Sequence, residues 1–118
     1  MKVLIVDDEK HVREGIKLLG EWEQNGITEI YEACNGEEAI ELIQTLRPEI
    51  IFSDMKMPKM DGLEATRIIK KRFPERPFII AMTANALQSD LQICIDAGMD
   101  DYISKPFKLD DLVKKLVK

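Results

Sequence analysis

Cysteine and histidine are scarce in this chain. Two cysteines and one histidine are all it has in 118 residues. Cys34 and Cys94 show neither zinc-type spacing nor a disulfide framework, so both read as small reduced side chains, buried or half-buried. His11 lies on an early helix turn with no second ligand nearby and reads as an exposed helix residue rather than a metal ligand or a phosphohistidine. The Met55, Met57, Met60 run has no cysteine or histidine beside it, which favours loop packing over a soft-metal site. Long apolar runs are also missing. The longest reach about five residues, far below the ~20 that span a bilayer. Met1-Lys2 leads straight into a strand-like run, so no signal peptide is expected. A cytoplasmic chain without membrane insertion follows. Basic charge is short as well: 17 bases face 22 acids, a net charge of −5. That argues against direct binding to a nucleic-acid backbone, which needs a basic face. Lys114, Lys115 and Lys118 read as cations placed near the C-terminus of a last helix, where the helix dipole favours them. What the chain does have is 45% hydrophobic residues, enough for a real core in one domain spanning 1–118.

Taken in order, strand-like and helix-like stretches alternate five times. Lys2 to Val6 is a continuous apolar strand followed at once by Asp7-Asp8-Glu9. Lys10 to Trp22 reads as a helix with Val12, Ile16 and Leu19 on one face, and Gly26 as a left-handed residue ending it. Glu29 to Ala33 alternates, as an edge strand with one wetter face does. Asn35-Gly36 reads as a turn, Glu37 to Leu46 as a second helix, and Pro48 bars its continuation. Ile50 to Phe52 is a buried strand with Asp54 at its exit, and a Pro-bearing loop follows. Gly62 to Arg72 is a third helix and Phe78 to Met82 a fourth strand ending at Thr83. Ala86 to Ala97 is a fourth helix closed by Gly98. Asp100 to Ser104 is a fifth strand followed by Lys105-Pro106, and Leu109 to Val117 a fifth helix. Five such units with short connections predict an α/β fold. It is a single flavodoxin-like (βα)5 doubly wound domain whose parallel five-stranded sheet has the order 2-1-3-4-5.

That order brings chemistry to one rim. In open α/β sheets, ligands bind outside the carboxyl ends of the strands. Asp7, Asp8 and Asp54 meet there, with Thr83 and Lys105 arriving from strands 4 and 5. Acids at a helix start are favourable for the dipole alone, a term of only ~0.3–1 kcal/mol. Thr83 is also a good helix cap. Neither reason accounts for carboxylates gathered at the exits of two buried strands. Three convergent carboxylates call for a hard divalent cation, and oxygen ligands with retained water suit magnesium. A cation, a fixed ammonium on Lys105 and a hydroxyl on Thr83 are what stabilise phosphoryl oxygens. Asp54 then serves as a carboxylate nucleophile that forms an aspartyl phosphate. No residue of the set is a dedicated base for activating water, so the acyl phosphate would persist.

Asp7-Asp8, the stretch Asp54-Met55-Lys56-Met57-Pro58-Lys59-Met60-Asp61-Gly62, Ala81-Met82-Thr83-Ala84 and Lys105-Pro106-Phe107 together resemble the receiver domain of two-component response regulators. The likeness runs from Met1 to about Val117, and the set in this order and spacing is highly specific. The resemblance implies that Asp54 accepts the phosphoryl group. Asp7 and Asp8 would hold Mg²⁺, or Mn²⁺ in its place, together with Asp54 and the backbone carbonyl of Lys56. Lys105 would pair with the phosphoryl oxygens across a cis Lys105-Pro106 bond. Thr83 and Tyr102 would be the switch pair, Lys56 and Asn85 would tune phosphoryl lifetime, and the small Ala84 would leave the phosphate accessible. The implied donor is a histidine kinase or histidine phosphotransfer domain, docking near the first helix and the Lys105-Pro106-Phe107 loop. The implied readout is a changed surface on the fourth helix, fifth strand and fifth helix, met by an output domain or target protein, in a monomer or a phosphorylation-promoted dimer.

The two ends resemble different subfamilies. Asp7 to Gly15, with Trp22 and Gly26-Ile27, is similar to receivers that carry AraC-type DNA-binding domains. Met82 to Ala86 and Ala97 to Tyr102 are similar to receivers of hybrid sensor kinases. A mosaic or engineered receiver scaffold, with a seam between the third strand and third helix, accounts for that pairing. Two other functions compete. A small aspartyl-phosphate phosphohydrolase or phosphotransferase would need an acid-base residue near Asp54, and Lys56 counts against it. A flavodoxin-like cofactor binder would need a phosphate-cradling loop after the first strand, where Asp7-Asp8 repel a phosphate. The expectation is thus a switch, not an enzyme, apart from self-catalysed phosphoryl transfer to Asp54 and slow autodephosphorylation.

Overall fold

A computed structural model describes residues 2–18, 22, 26–54, 62–73, 77–83 and 88–104. In chain order the elements are β1 (Lys2–Val6), α1 (Lys10–Lys17), β2 (Glu29–Ala33), α2 (Gly36–Leu46), β3 (Ile50–Asp54), α3 (Gly62–Arg72), β4 (Phe78–Thr83), α4 (Gln88–Ala97) and β5 (Asp101–Ser104). The strands form one parallel sheet in the order β2-β1-β3-β4-β5, as expected. The expected fifth helix, 109–117, lies outside the described residues.

The pattern of the strands dictates the layers. β1, β3 and β4 are apolar at successive positions because both faces of a central parallel strand are covered. One face carries Leu4, Val6, Ile51, Ile79 and Ala81 under Ala39 and Ile43 of α2, Ala65 and Ile69 of α3, and Cys94 of α4. The other carries Val3, Ile5, Ile50, Phe52, Ile80, Met82 and Ile103 under Ile16 of α1, with Trp22 and Ile27. β2 is the sheet edge its alternation predicted, and only Ala33 of its five residues is buried.

Four boundaries differ from the sequence reading. α1 ends at Lys17 rather than Trp22, since Leu18 forms the cap and the Trp22 indole Nε1–H donates to the Lys17 carbonyl at 3.1 Å. Gly26 does adopt the left-handed backbone, φ 84°, but not at the end of α1, which is Lys17. Asn35-Gly36 is a helix start, not a turn: the Asn35 side chain accepts from the Glu38 N–H at 2.9 Å, a helix cap, and Gly36 is the first residue of α2. Asp100 precedes β5 instead of opening it. Its backbone N–H donates to the Ile79 carbonyl, and its carboxylate accepts from the Ile79 N–H and from Lys70 Nζ, both at 2.8 Å. β3 also runs two residues beyond Phe52, which makes Asp54 its last paired residue.

Candidate functional site

Strand register decides what the carboxyl rim contains. Val6 pairs with Ser53, so Asp7 leaves β1 level with Asp54, the end of β3. Asp54 pairs with Met82, which puts Thr83 one residue further along the rim. Thr83 pairs with Ser104, the last residue of β5, and Lys105 follows directly in sequence. In β3 the alternation of side chains gives Asp54 the parity of Ile50 and Phe52, the α1 side of the sheet. Asp54 is half-buried there.

Asp7 is fully buried, and its position is fixed from several directions. Its N–H donates to the Ala33 carbonyl at 3.1 Å, extending the β1–β2 ladder by one bond. Its Oδ1 accepts the Glu9 N–H at 2.9 Å, an Asx-type turn that swings the chain from strand to helix. Its carbonyl accepts from the Arg13 guanidinium at 2.6 Å. Carboxylate oxygens of Asp7, Asp8 and Glu9 lie within 4.8 Å of one another. This all-oxygen set fits a hard divalent cation of the magnesium or manganese type, and lacks the nitrogen or sulfur donors that select zinc or copper. Glu9 is the third acid of that group. Asp54, the third acid expected, stands at the neighbouring strand end and is not one of the three. Glu9 also faces the exposed His11 imidazole at 3.3 Å, the surface position expected for that histidine.

Behind these acids runs a chain of alternating charge. Arg13 Nε donates to Glu32 Oε1 at 3.1 Å, and Lys17 Nζ donates to Glu32 Oε2 at 3.0 Å. The hydrogen bond from Lys17, with that from Arg13 and the charge of both, holds the Glu32 carboxyl below its ordinary range despite partial burial. Nothing local in the sequence announces this contact. Its only trace is that Arg13 and Lys17 are one turn apart on α1 while Glu32 sits on the wetter face of β2.

The other expected site residues divide in two. Tyr102 is described and stands at the surface in β5, 36% exposed. Thr83 is placed by its backbone at the end of β4. Lys56, Asn85, Ala84, Lys105 and the Lys105-Pro106-Phe107 loop lie outside the described residues, as do Met55, Met57 and Met60. Among the described residues, no helix is long and apolar enough to cross a membrane.

Comparison with known proteins agrees with this geometry. The family model for the response regulator receiver domain matches residues 3–117. Response regulator MprA of Mycobacterium ulcerans is 36% identical over 116 residues, 98% of this chain and 48% of the relative. Its counterpart in Mycobacterium leprae is 35% identical with 49% of its length covered, so the chain spans about half the length of the curated relatives it matches. Among solved structures, the receiver domain of a Pseudomonas aeruginosa sensor histidine kinase is 34% identical with a TM-score of 0.84, covering 98% of this chain and 93% of that one. It has a magnesium ion coordinated in its active-site cleft. A Francisella response regulator receiver domain is 33% identical with a TM-score of 0.83, covering 98% and 92%. A family match over nearly the whole length, with the fold of known receivers, makes this chain a member of the response regulator receiver domains of two-component systems.

Proposed function

We propose that the chain is a Mg²⁺-dependent phosphoacceptor switch, a single receiver unit over 1–118, in which Asp54 takes the phosphoryl group. The observation that carries this is the rim itself: Asp54 ends β3 level with the buried Asp7, and Asp7, Asp8 and Glu9 gather their carboxylates beside it. An Asp54 carboxylate oxygen forms a bond to phosphorus while the bond from phosphorus to the donor breaks, and the donor leaves with that electron pair. The donor nitrogen is an imidazole of a histidine kinase or histidine phosphotransfer domain; with acetyl phosphate the leaving group is acetate. Asp7 and Asp8, with Asp54 and the Lys56 carbonyl, would hold a divalent cation, which would supply the positive charge that nucleophile and phosphoryl oxygens need. Lys105 pairs with the transferred phosphoryl oxygens, and Thr83 donates its hydroxyl to them.

Receiver domains of response regulators are signalling switches rather than conventional enzymes. Here the switch is the movement of Thr83 toward the phosphoryl group, accompanied by inward rotation of Tyr102, the aromatic now at the surface. The altered α4–β5 surface and the segment after it then meet an output domain or target in the cytoplasm, or a second receiver. Lys56 and Asn85 set how long the acyl phosphate lasts.

The test is intact mass after incubation with acetyl phosphate and Mg²⁺. One added phosphoryl group, lost in Asp54→Asn and lost without the metal, is the expected result. A folded protein that binds Mg²⁺ but takes no phosphoryl group from either acetyl phosphate or a phosphorylated phosphotransfer domain would overturn the proposal.

A further inference from the structure

The cation site of the proposed switch is braced from behind by a side chain on α1. Asp7 is the buried member of the acid group, and three of its bonds bear on its backbone and turn. Two come from neighbours in the ordinary course of the fold, the Ala33 carbonyl in the strand ladder and the Glu9 N–H in the Asx-type turn. The third is different in kind. The Arg13 guanidinium reaches back six residues to the Asp7 carbonyl at 2.6 Å while its Nε is held by Glu32 of β2 at 3.1 Å. Arg13 is itself only 14% exposed, and Lys17 secures the other Glu32 oxygen. A planar fork with several donors is what allows one side chain to bridge a carbonyl and a carboxylate on two different elements; an ammonium is a point charge with no such geometry.

We infer that Arg13 is a positioning residue for the divalent cation: it locks the Asp7 turn, and through it the acid group, against β2, with Glu32 as its anchor. The inference rests on the reading of the rim as a cation-dependent phosphoacceptor site. It runs against simple electrostatics. A guanidinium next to gathered carboxylates repels an incoming cation, so charge alone predicts that removing Arg13 tightens cation binding. Positioning predicts the reverse, because ligands that must be ordered at the moment of binding bind more weakly. Partners behind metal ligands carry effects of roughly tenfold or more in affinity.

Two measurements on the 118-residue chain separate the cases, with Arg13→Met, Arg13→Lys and Glu32→Gln compared to the unaltered chain. The first is amide hydrogen exchange at Glu9 without metal, which reads the Asp7 turn directly. The second is Mg²⁺ affinity by titration calorimetry. The expected result is faster Glu9 exchange in all three variants and Mg²⁺ binding weakened about tenfold in both Arg13 variants, with the retained charge of lysine giving no rescue. Glu32→Gln is expected to give a smaller loss in the same direction. Circular dichroism confirms that each variant is folded. Arg13 variants that bind Mg²⁺ as well as or better than the unaltered chain would overturn the inference, as would full recovery by Arg13→Lys. Failure of the unaltered chain to bind Mg²⁺ would instead strike the cation site itself, and would leave the exchange result to say whether Arg13 holds the turn.

Discussion

The two ends of the sheet use charge in opposite ways. At the amino end, opposite charges and backbone groups are matched pairwise. Lys70 Nζ meets the Asp100 carboxylate at 2.8 Å and the Pro77 carbonyl at 3.1 Å, and the same carboxylate accepts the Ile79 N–H. Glu49 ties three strands: its N–H donates to the Lys2 carbonyl, its own carbonyl accepts from Phe78, and its side chain accepts the Lys2 N–H. At the carboxyl end, acids gather with acids at Asp7, Asp8 and Glu9, next to Asp54. One end is arranged for stability. The other gathers acids of like charge at the place proposed for the cation. Fold and function are therefore separable by position along the strands, and substitutions at the two ends are expected to have different signatures.

The largest effect expected is on chemistry. Asp54→Asn removes phosphoryl uptake altogether, read by intact mass, while leaving the urea midpoint near that of the unaltered chain. Next comes the amino end. Asp100→Ala takes away the acceptor of the Ile79 N–H and the partner of Lys70, so stability falls by about 2 kcal/mol, as when a buried donor loses its partner; urea denaturation checks it, with phosphoryl uptake retained. Loss of uptake in folded Asp100→Ala would erase the separation of the two ends. Asn35→Ala, which removes the α2 cap, costs ~1 kcal/mol by the same denaturation.

The smallest effect is a pH dependence. Lys17 and Arg13 lower the folded-state pKa of Glu32, so its contribution to stability is complete above the ordinary carboxylate range and is lost as pH falls through the lowered value. The Glu32→Gln variant should trail the unaltered chain at neutral pH by well under ~1 kcal/mol, since the pair is partly solvated, and the gap should close in acid. A gap that widens on acidification would contradict the assignment.

Much of this was legible in the sequence because it rests on local signals. Short apolar runs with an acid close behind, Val3 to Val6 before Asp7 and Ile50 to Phe52 before Asp54, marked β1 and β3, and the alternation in β2 marked an edge. Right-handed crossovers then leave few strand orders, the commonest of which is the one observed, and that order brings Asp7, Asp54 and Thr83 to one rim. What was not legible depends on contacts distant in sequence or on residues with two uses. Leu19 extended the helical period of α1, yet the helix stops at Lys17, where the Trp22 indole takes the Lys17 carbonyl and Leu18 is left 84% exposed. Asparagine serves both turns and helix caps, so Asn35-Gly36 gave no local way to choose between them. Asp100 looks like a strand residue until Ile79 and Lys70 arrive to claim its carboxylate. The Arg13–Glu32 contact spans 19 residues and two elements, and no periodicity within either one reveals it.

The central claim is that one particular acid of the carboxyl rim becomes an acyl phosphate. Borohydride reduces an acyl phosphate to an alcohol with release of phosphate, and so converts the modified aspartate to homoserine. Reduction after acetyl phosphate treatment with Mg²⁺, followed by peptide mass analysis, identifies that residue. Homoserine at position 54 alone is the predicted result. Conversion at position 7 or 8 with position 54 unchanged would contradict it.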